Sequence, residues 1–362
     1  MKIGIVGLPT AGKTTLFNLL TNAQTSTSSF FSGKTDANVG VARVPDGRID
    51  RLNEMYKPRK TIYAQIEFTD VPGLVRGASQ GEGVGNQFLT AIRPVDALVH
   101  VVRAFAHEEV PHVEGSIDPA RDIETVNMEL LFADLEVIEK RIERLENSKK
   151  RTRENEAELV LMRRLKEALE SETSLHSLEL SDEERALIRS FTFLTEKPLI
   201  LVMNVDEAQF KAGEYPGKAA VEEWVRNNNV PVIVVCGQIE VEISNLEPGD
   251  RAVFMEDLGL KETGIERLAR AVYYRLGLIS FFTVGEDEVK AWTIEKGTSA
   301  KKAAGKIHSD IERGFIRAEV VAYRDLAECG SMAKVREKGL FRLEGKEYTV
   351  ADGDIINFRF NV

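Results

Sequence analysis

The first residues able to do chemistry are ones that can hold a polyphosphate. Gly7-Leu-Pro-Thr-Ala-Gly12-Lys13-Thr14 has the spacing G-x-x-x-x-G-K-[ST], between the apolar run Lys2-Ile-Gly-Ile-Val and a segment whose Leu16, Phe17, Leu19 and Leu20 form a helical apolar face. Glycine at 7 and 12 lets the backbone turn tightly enough for its N–H groups to point inward. Gly7, Pro9, Thr10, Ala11 and Gly12, followed by Lys13, Thr14 and Thr15 at the helix start, are therefore expected to cradle phosphates on a helix N-terminus. Lys13 brings a cation to the outer phosphates. Thr14 offers its hydroxyl to the magnesium ion (Mg2+) that bridges the β- and γ-phosphates. A chance glycine-rich turn would not place these eight residues in order between a strand and a helix.

Downstream, Asp70-Val-Pro-Gly73 puts a carboxylate at a strand end and a glycine just beyond it. Asp70 can hold magnesium through water, and the Gly73 N–H can meet a γ-phosphate, so this turn reads the state of the nucleotide. Gly77, Gly81, Gly83 and Gly85 then suit a loop that orders when nucleotide binds. Leu74 stands where many regulatory GTPases carry the glutamine that orients the attacking water. An apolar side chain cannot do this, so slow intrinsic hydrolysis is expected. No catalytic residue is assigned: His100 lies in an apolar run and reads as core, while His107 and His112 show no ligand-like companions.

The base is addressed less clearly. Asn204-Val205-Asp206-Glu207 follows the apolar run Leu199 to Met203, where a guanine-binding chain has Asn-Lys-x-Asp. Glu207 is one methylene longer than aspartate, Val205 replaces the lysine that packs on the base, and Asp206 has a carboxylate at the wrong spacing. Asn204 can pair with a purine edge or brace the phosphate loop. Cys236, Gly237 and Gln238 end the next strand, where small residues allow backbone contact with the base. Together these favour adenine, with ATP as ligand and GTP the alternative.

The elements that must position these residues alternate in type. Strands are expected at Val39 to Val44, Ile62 to Thr69, Ala97 to Val102, Leu199 to Met203 and Val230 to Val235, separated mostly by helices. That is an α/β, doubly wound, mainly parallel sheet, with ligands at the carboxyl ends of its strands. Leu131, Leu135, Ile138, Ile142 and Leu145 recur at heptad spacing, and Met162, Leu165 and Leu169 continue the seam after a polar break at 147–155, predicting an antiparallel coiled-coil hairpin. Ser181-x-x-Glu184 reads as a capping box. After a helix at Ile265 to Leu276, strands at Val289 to Ile294, Ile316 to Tyr323 and Ile355 to Phe360, a helix at Ser299 to His308 and a hairpin around Gly345 predict a β-grasp (ubiquitin-like) α+β module. Lys301, Lys302 and Lys306, with Arg313 and Arg317, can form a local basic face for RNA, although acids are as numerous there.

Composition bounds the partners. Hydrophobic content of 43% and charged content of 29% are ordinary for a globular chain. Net charge of −10 argues against field-driven attraction to nucleic acid. Two cysteines, Cys236 and Cys329, make no disulfide framework. With neither a leader pattern at the start nor an apolar run of about 18 residues, a cytoplasmic protein without membrane contact is expected.

The motifs together resemble the YchF (Obg-like ATPase) family, within the TRAFAC class of P-loop proteins, over nearly all of the chain. The likeness is carried by Gly7-Leu-Pro, Lys13-Thr-Thr-Leu-Phe-Asn18, Asn38-Val-Gly-Val, Asp70-Val-Pro-Gly-Leu-Val-Arg-Gly-Ala78, Gly81-Glu-Gly-Val-Gly-Asn-Gln-Phe88, Asn204-Val-Asp-Glu207, Ala291-Trp-Thr-Ile294, Ala303-Ala-Gly-Lys-Ile-His308 and Phe358-Arg-Phe-Asn-Val362. The resemblance implies an Obg-type G domain over 1–120 and 196–278, a helical coiled-coil insertion over 121–195, and a TGS domain over 279–362. It also implies ATP preferred over GTP, slow hydrolysis, and association with the ribosome or ribosomal RNA through the TGS domain and helical insertion. A conventional GTPase and a ribosome-binding adaptor with little turnover are the alternatives.

Several positions depart from the family pattern. Thr10-Ala11 replaces Asn-Val, Val71-Pro72-Gly73 replaces Ile-Ala-Gly, and Gln238 replaces a lysine. Phe31-Ser-Gly-Lys34-Thr35-Asp-Ala-Asn38 replaces Pro-Phe-Cys-Thr-Ile-Glu-Pro-Asn, so that Lys34 aligns with the family's magnesium-sensing threonine. Thr35, next to Lys34, is the expected metal ligand of the first switch.

Overall fold

A computed structural model describes residues 1–22, 38–74, 77, 84–149 and 152–361. In chain order the elements are β1 (Lys2–Val6), α1 (Lys13–Thr21), β2 (Asn38–Arg43), α2 (Gly47–Tyr56), β3 (Lys60–Ile62), β4 (Gln65–Asp70), α3 (Val84–Ile92), β5 (Ala97–Arg103), α4 (Pro119–Glu146) and α5 (Arg153–Glu170). They continue with α6 (Asp182–Ile188), β6 (Leu199–Asn204), α7 (Glu207–Ala212), α8 (Lys218–Asn228), β7 (Val232–Val235), α9 (Gly237–Asn245), α10 (Pro248–Asp257) and α11 (Gly264–Arg275). The C-terminal part adds β8 (Leu278–Val284), β9 (Glu288–Glu295), α12 (Ala300–Ile307), α13 (Ser309–Arg313), β10 (Phe315–Ala322), α14 (Tyr323–Cys329), α15 (Met332–Glu337), β11 (Arg342–Glu344) and β12 (Asp354–Phe360).

Two compact units result, one of Met1–Val41 with Glu67–Arg267, the other of Ala42–Ile66 with Leu268–Val362. The first is built on a six-stranded sheet in the order β2-β4-β1-β5-β6-β7. The pairs β1–β4, β1–β5, β5–β6 and β6–β7 are all parallel. Parallel strands need helices on both faces, and β5 accordingly is buried at every position. Because β1 stands between β4 and β5, the loop after β1 shares one edge of the sheet with Asp70 at the end of β4, Arg103 at the end of β5 and Asn204 at the end of β6.

The helical insertion is less separate than the sequence suggested. Asp118 caps α4 by accepting from the Arg121 N–H, with Pro119 at the first turn. Val126, Leu130 and Ala133 of α4 pack with Val6, Leu98 and Phe88 in the core of the nucleotide sheet. Leu131 and Ile138 instead join Leu161, Met162, Leu165 and Leu169 of α5 in a second core. Thus α4 belongs to both. The hairpin is antiparallel, as the ion pairs Lys166–Glu139, Arg163–Glu146 and Arg141–Glu158 require. At its base the buried Asp134 carboxylate accepts from Leu194 N at 3.0 Å and from Thr195 N and Oγ1 at 2.8 Å each. The expected capping box at Ser181 and Glu184 is present.

The second unit has a sheet in the order β11-β10-β12-β8-β9-β3. β8–β9, β10–β12 and β10–β11 are antiparallel, while β12–β8 and β3–β9 are parallel. Ala300, Ala303 and Ala304 of α12 pack on Ile279, Phe281, Ile294 and Val320, which is the helix-on-sheet arrangement of a β-grasp. Two expectations need correction. The run Ile62 to Thr69 is not one strand: β3 pairs with β9, β4 pairs with β1, and the segment Ala42–Ile66, expected in the nucleotide domain, belongs to the second unit. The segment from Arg342 to Val350 is not a hairpin, because β11 pairs with β10 and Thr349 instead bridges to Ser299.

Candidate nucleotide-binding site

The loop after β1 has the conformation its glycines were expected to permit. Gly7 and Gly12 sit at φ +143° and +96°, and a Cβ at either would lie 2.3 Å from Val101 O or 2.4 Å from Asn204 Nδ2. Lys13 is buried, and its Nζ curls back to donate to Leu8 O at 2.8 Å. Burial lowers its pKa from 10.5 to about 8, with the charge of Asp70 opposing. Thr15, the third residue of α1, is partly exposed.

Thr14 and Asp70 meet as expected: Thr14 Oγ1 donates to Asp70 Oδ2 at 2.8 Å. The other carboxylate oxygen, Asp70 Oδ1, is buried without a hydrogen-bond partner. Burial pushes the Asp70 carboxyl above its usual range, against the Thr14 hydrogen bond and the Lys13 charge. A hydroxyl and an orphaned carboxylate oxygen form an oxygen donor set that fits a hard divalent cation. Among the described residues no group of three or more His, Cys, Asp or Glu converges, so an ion at Thr14 and Asp70 would complete its shell from phosphate and water. Thr35, the expected ligand from the first switch, lies outside the described residues.

Gly73 lies against the phosphate loop, where a Cβ would come within 2.9 Å of Pro9 N. Leu74 donates its N–H to Gly7 O at 3.1 Å, and its side chain is fully buried with Val6, Leu8, Val71 and Phe88. Position 74 therefore serves the core and presents nothing to water. Of the glycines beyond it only Gly77 and the backbone of Gly85 are described. Gly77 donates to Glu129 Oε1 of α4 at 2.6 Å.

At the base element, Asn204 braces the site. Its Nδ2 donates to Ala11 O at 3.0 Å, and its Oδ1 accepts from Gly237 N at 3.1 Å. Val205 is buried in the core with Ile239 and Leu201 and presents no side chain to a ligand. Asp206 caps α7, accepting from Gln209 N while the Gln209 side chain returns to the Asp206 N–H. Glu207 is exposed and pairs with Lys211 at 2.5 Å. Cys236 is buried, burial pushing its thiol up, and Gln238 is exposed. The two carboxylates of the motif are thus occupied by a helix cap and a surface ion pair.

The histidines divide. His100 is buried and its pKa falls to about 3 through burial and the nearby Lys13 charge, which keeps it a neutral core residue. His112 was expected to lack companions, yet its Nε2 lies 2.9 Å from Asp122 Oδ2, with both side chains buried, and its Nδ1 accepts from Glu114 N at 3.1 Å. The partner sits on α4, where sequence spacing gave no hint of it. Arg103 was also missed, although one arginine ending an otherwise apolar run is a readable signal. Its Nη1 donates to Thr10 Oγ1 at 3.1 Å. Thr10 itself has φ +62°, a left-handed conformation that costs a β-branched residue about 1–3 kcal/mol.

Comparison with known proteins adds to this geometry. A family model described as a 50S ribosome-binding GTPase matches residues 2–205, and the YchF-GTPase_C model, described as a protein of unknown function, matches residues 278–361. A Bacillus subtilis protein named ribosome-binding ATPase YchF is 49% identical over 362 residues, covering 99% of each chain. The protein of the same name from Mycoplasma genitalium is 40% identical, covering 100% of each. Among solved structures, the Schizosaccharomyces pombe YchF GTPase superposes with a TM-score of 0.85 at 32% identity, over 99% of this chain and 97% of that one.

Proposed function

The chain belongs to the YchF family, and on that premise we propose that it is a magnesium-dependent nucleotide switch that binds ATP in preference to GTP, hydrolyses it slowly and acts on the ribosome. Full-length relatives carry the name ribosome-binding ATPase. The observation that carries the preference for adenine is the occupation of the base element. Asn204 is spent on Ala11 and Gly237, Asp206 on capping α7, and Glu207 on Lys211. Asp206 is held as a helix cap, and Glu207, one methylene longer than the aspartate that accepts guanine's two N–H groups, lies exposed in a surface ion pair, whereas the exposed Gln238 beyond the next strand can meet adenine's mixed donor and acceptor edge.

Gly7, Pro9, Thr10, Ala11, Gly12, Lys13, Thr14 and Thr15 hold the phosphates. Thr14 and Asp70 would hold the magnesium ion, which would supply positive charge to the phosphates when bound. Gly73 meets the γ-phosphate, and Leu74, locked in the core, leaves intrinsic hydrolysis slow. Ribosomal contact falls to the helical insertion, 121–195, and the TGS module, 279–362, where Lys301, Lys302 and Lys306 are exposed along α12. A cytoplasmic location follows from that partner; among the described residues no helix is long and apolar enough to cross a membrane.

Paired titrations of magnesium-ATP and magnesium-GTP test the base reading, and a clear GTP preference overturns it. Phosphate release with and without ribosomes separates an activated enzyme from an adaptor: no release in either condition refutes the hydrolase.

A further inference from the structure

Arg103 is the one formally charged residue in a strand that is buried throughout, and only 2% of it is exposed. Its guanidinium spans three acceptors: Nε donates to Phe105 O at 3.0 Å, Nη2 to Val110 O at 2.7 Å and Nη1 to Thr10 Oγ1 at 3.1 Å. All three are neutral. Burial lowers the pKa of Arg103, and the charge of Asp122 opposes that loss from a distance. A desolvated guanidinium is a costly thing to keep unless it serves something.

What it serves follows from register. Arg103 lies opposite Asn204 across the β5–β6 pair. Asn204 holds Ala11 through its carbonyl, and Arg103 holds Thr10 through its hydroxyl, so paired residues at the ends of adjacent strands grip consecutive residues of the phosphate loop. Thr10 is the non-glycine residue of the loop in a left-handed conformation.

We propose that Arg103 is a positioning residue for nucleotide binding: its planar fork fixes Thr10, and with it the N–H array of the phosphate loop. The proposal rests on the nucleotide-binding reading given above. Because the fork reaches Phe105 and Val110 as well, the same group ties the loop that leads into α4 to the phosphate site. Lysine, with one compact ammonium, cannot span three acceptors in fixed planar geometry.

The test measures dissociation constants of magnesium-ADP and of magnesium with a non-hydrolysable ATP analogue for the full chain and its Arg103→Lys, Thr10→Val and double variants, alongside melting of each free protein. Each single variant weakens binding about tenfold, and the double variant is no weaker than the worse single one, because both remove the same contact. In a Thr10→Gly background, where a left-handed φ needs no support, Arg103→Lys changes affinity less than twofold. Wild-type affinity in both single variants overturns the proposal, as does a double loss equal to the product of the single losses. If Arg103→Lys does not fold, Thr10→Val decides alone, and unchanged affinity there overturns it. A wild-type chain that binds neither nucleotide overturns the nucleotide reading itself, a result distinct from variants that bind as wild type does.

Discussion

Lys13 makes nucleotide binding a proton-coupled event above neutral pH. Buried, with the Leu8 carbonyl as its hydrogen-bond acceptor among the described residues, it titrates at about 8 in the free protein against 10.5 when exposed. That depression corresponds to about 3 kcal/mol against the cation. The sign follows from proton counts: between pH 8 and 10.5 the unfolded chain holds a proton that the native lysine has lost. The free protein therefore gains stability as pH rises through that window, and the cost of burying the cation is fully present below it. An arriving polyphosphate reverses the balance by supplying anionic oxygens to the ammonium, which raises its pKa. At pH 8.5 about three quarters of Lys13 is neutral, so binding takes up about 0.8 proton; at pH 7 the uptake is about 0.1. Apparent affinity then falls up to about tenfold per pH unit above 8. His100 titrates near 3 and a terminal phosphate has completed its second ionisation near pH 6, so neither changes protonation in this window, and the Asp70 carboxylate opposes the depression of Lys13. Calorimetry at pH 8.5 in two buffers of different ionisation enthalpy reads the proton number directly. Tight binding with no buffer dependence would refute the argument.

Three substitutions probe the rest of the site. Leu74→Gln puts an amide among Val6, Leu8 and Phe88, so it costs about 2–4 kcal/mol of stability in urea unfolding and leaves phosphate release unchanged; a raised rate would show that position 74 reaches the nucleotide. Asn204→Ala strands Ala11 O and Gly237 N, weakening both ATP and GTP roughly tenfold to a hundredfold with their ratio unchanged, and a shift in that ratio by titration would count against the brace. Asp134→Ala leaves Leu194 N and Thr195 N unpaired at the base of the hairpin, costing about 2–4 kcal/mol; hydrogen exchange at those two amides speeds up, and unchanged protection would contradict the assignment.

The parts of this protein that were legible in sequence are those written in contiguous residues. The phosphate loop, Asp70 with Gly73, the heptad seam and the Ser181 capping box each depend on local spacing, and each stands in the structure. What sequence hid is non-local. A period-two run cannot say which sheet a strand joins, so β3 and β4 read as one strand although they pair with β9 and β1. A glycine between two polar strands looks like a hairpin, yet β11 found its partner in β10. The base element shows the same limit from the other side: spacing singles out Asn204, Val205 and Glu207, but whether each faces a ligand or a neighbour is set by Ala11, the core around Val205 and Lys211. Arg103 and His112 went unassigned because Thr10 and Asp122 become their neighbours only through folding.

Because α4 lies in two cores, the insertion cannot be removed at its sequence boundaries. A deletion of 121–195 would strip Ile123, Val126, Leu130 and Ala133 from the nucleotide core and expose the face of β5 that they cover. The structure marks a different cut. Asp134 and Leu194 are already hydrogen-bonded at 3.0 Å, so a short glycine turn joining them would take out 135–193 and leave the sheet clothed. A shortened chain made that way would separate whatever the hairpin contributes to function from what the first turns of α4 contribute to the fold.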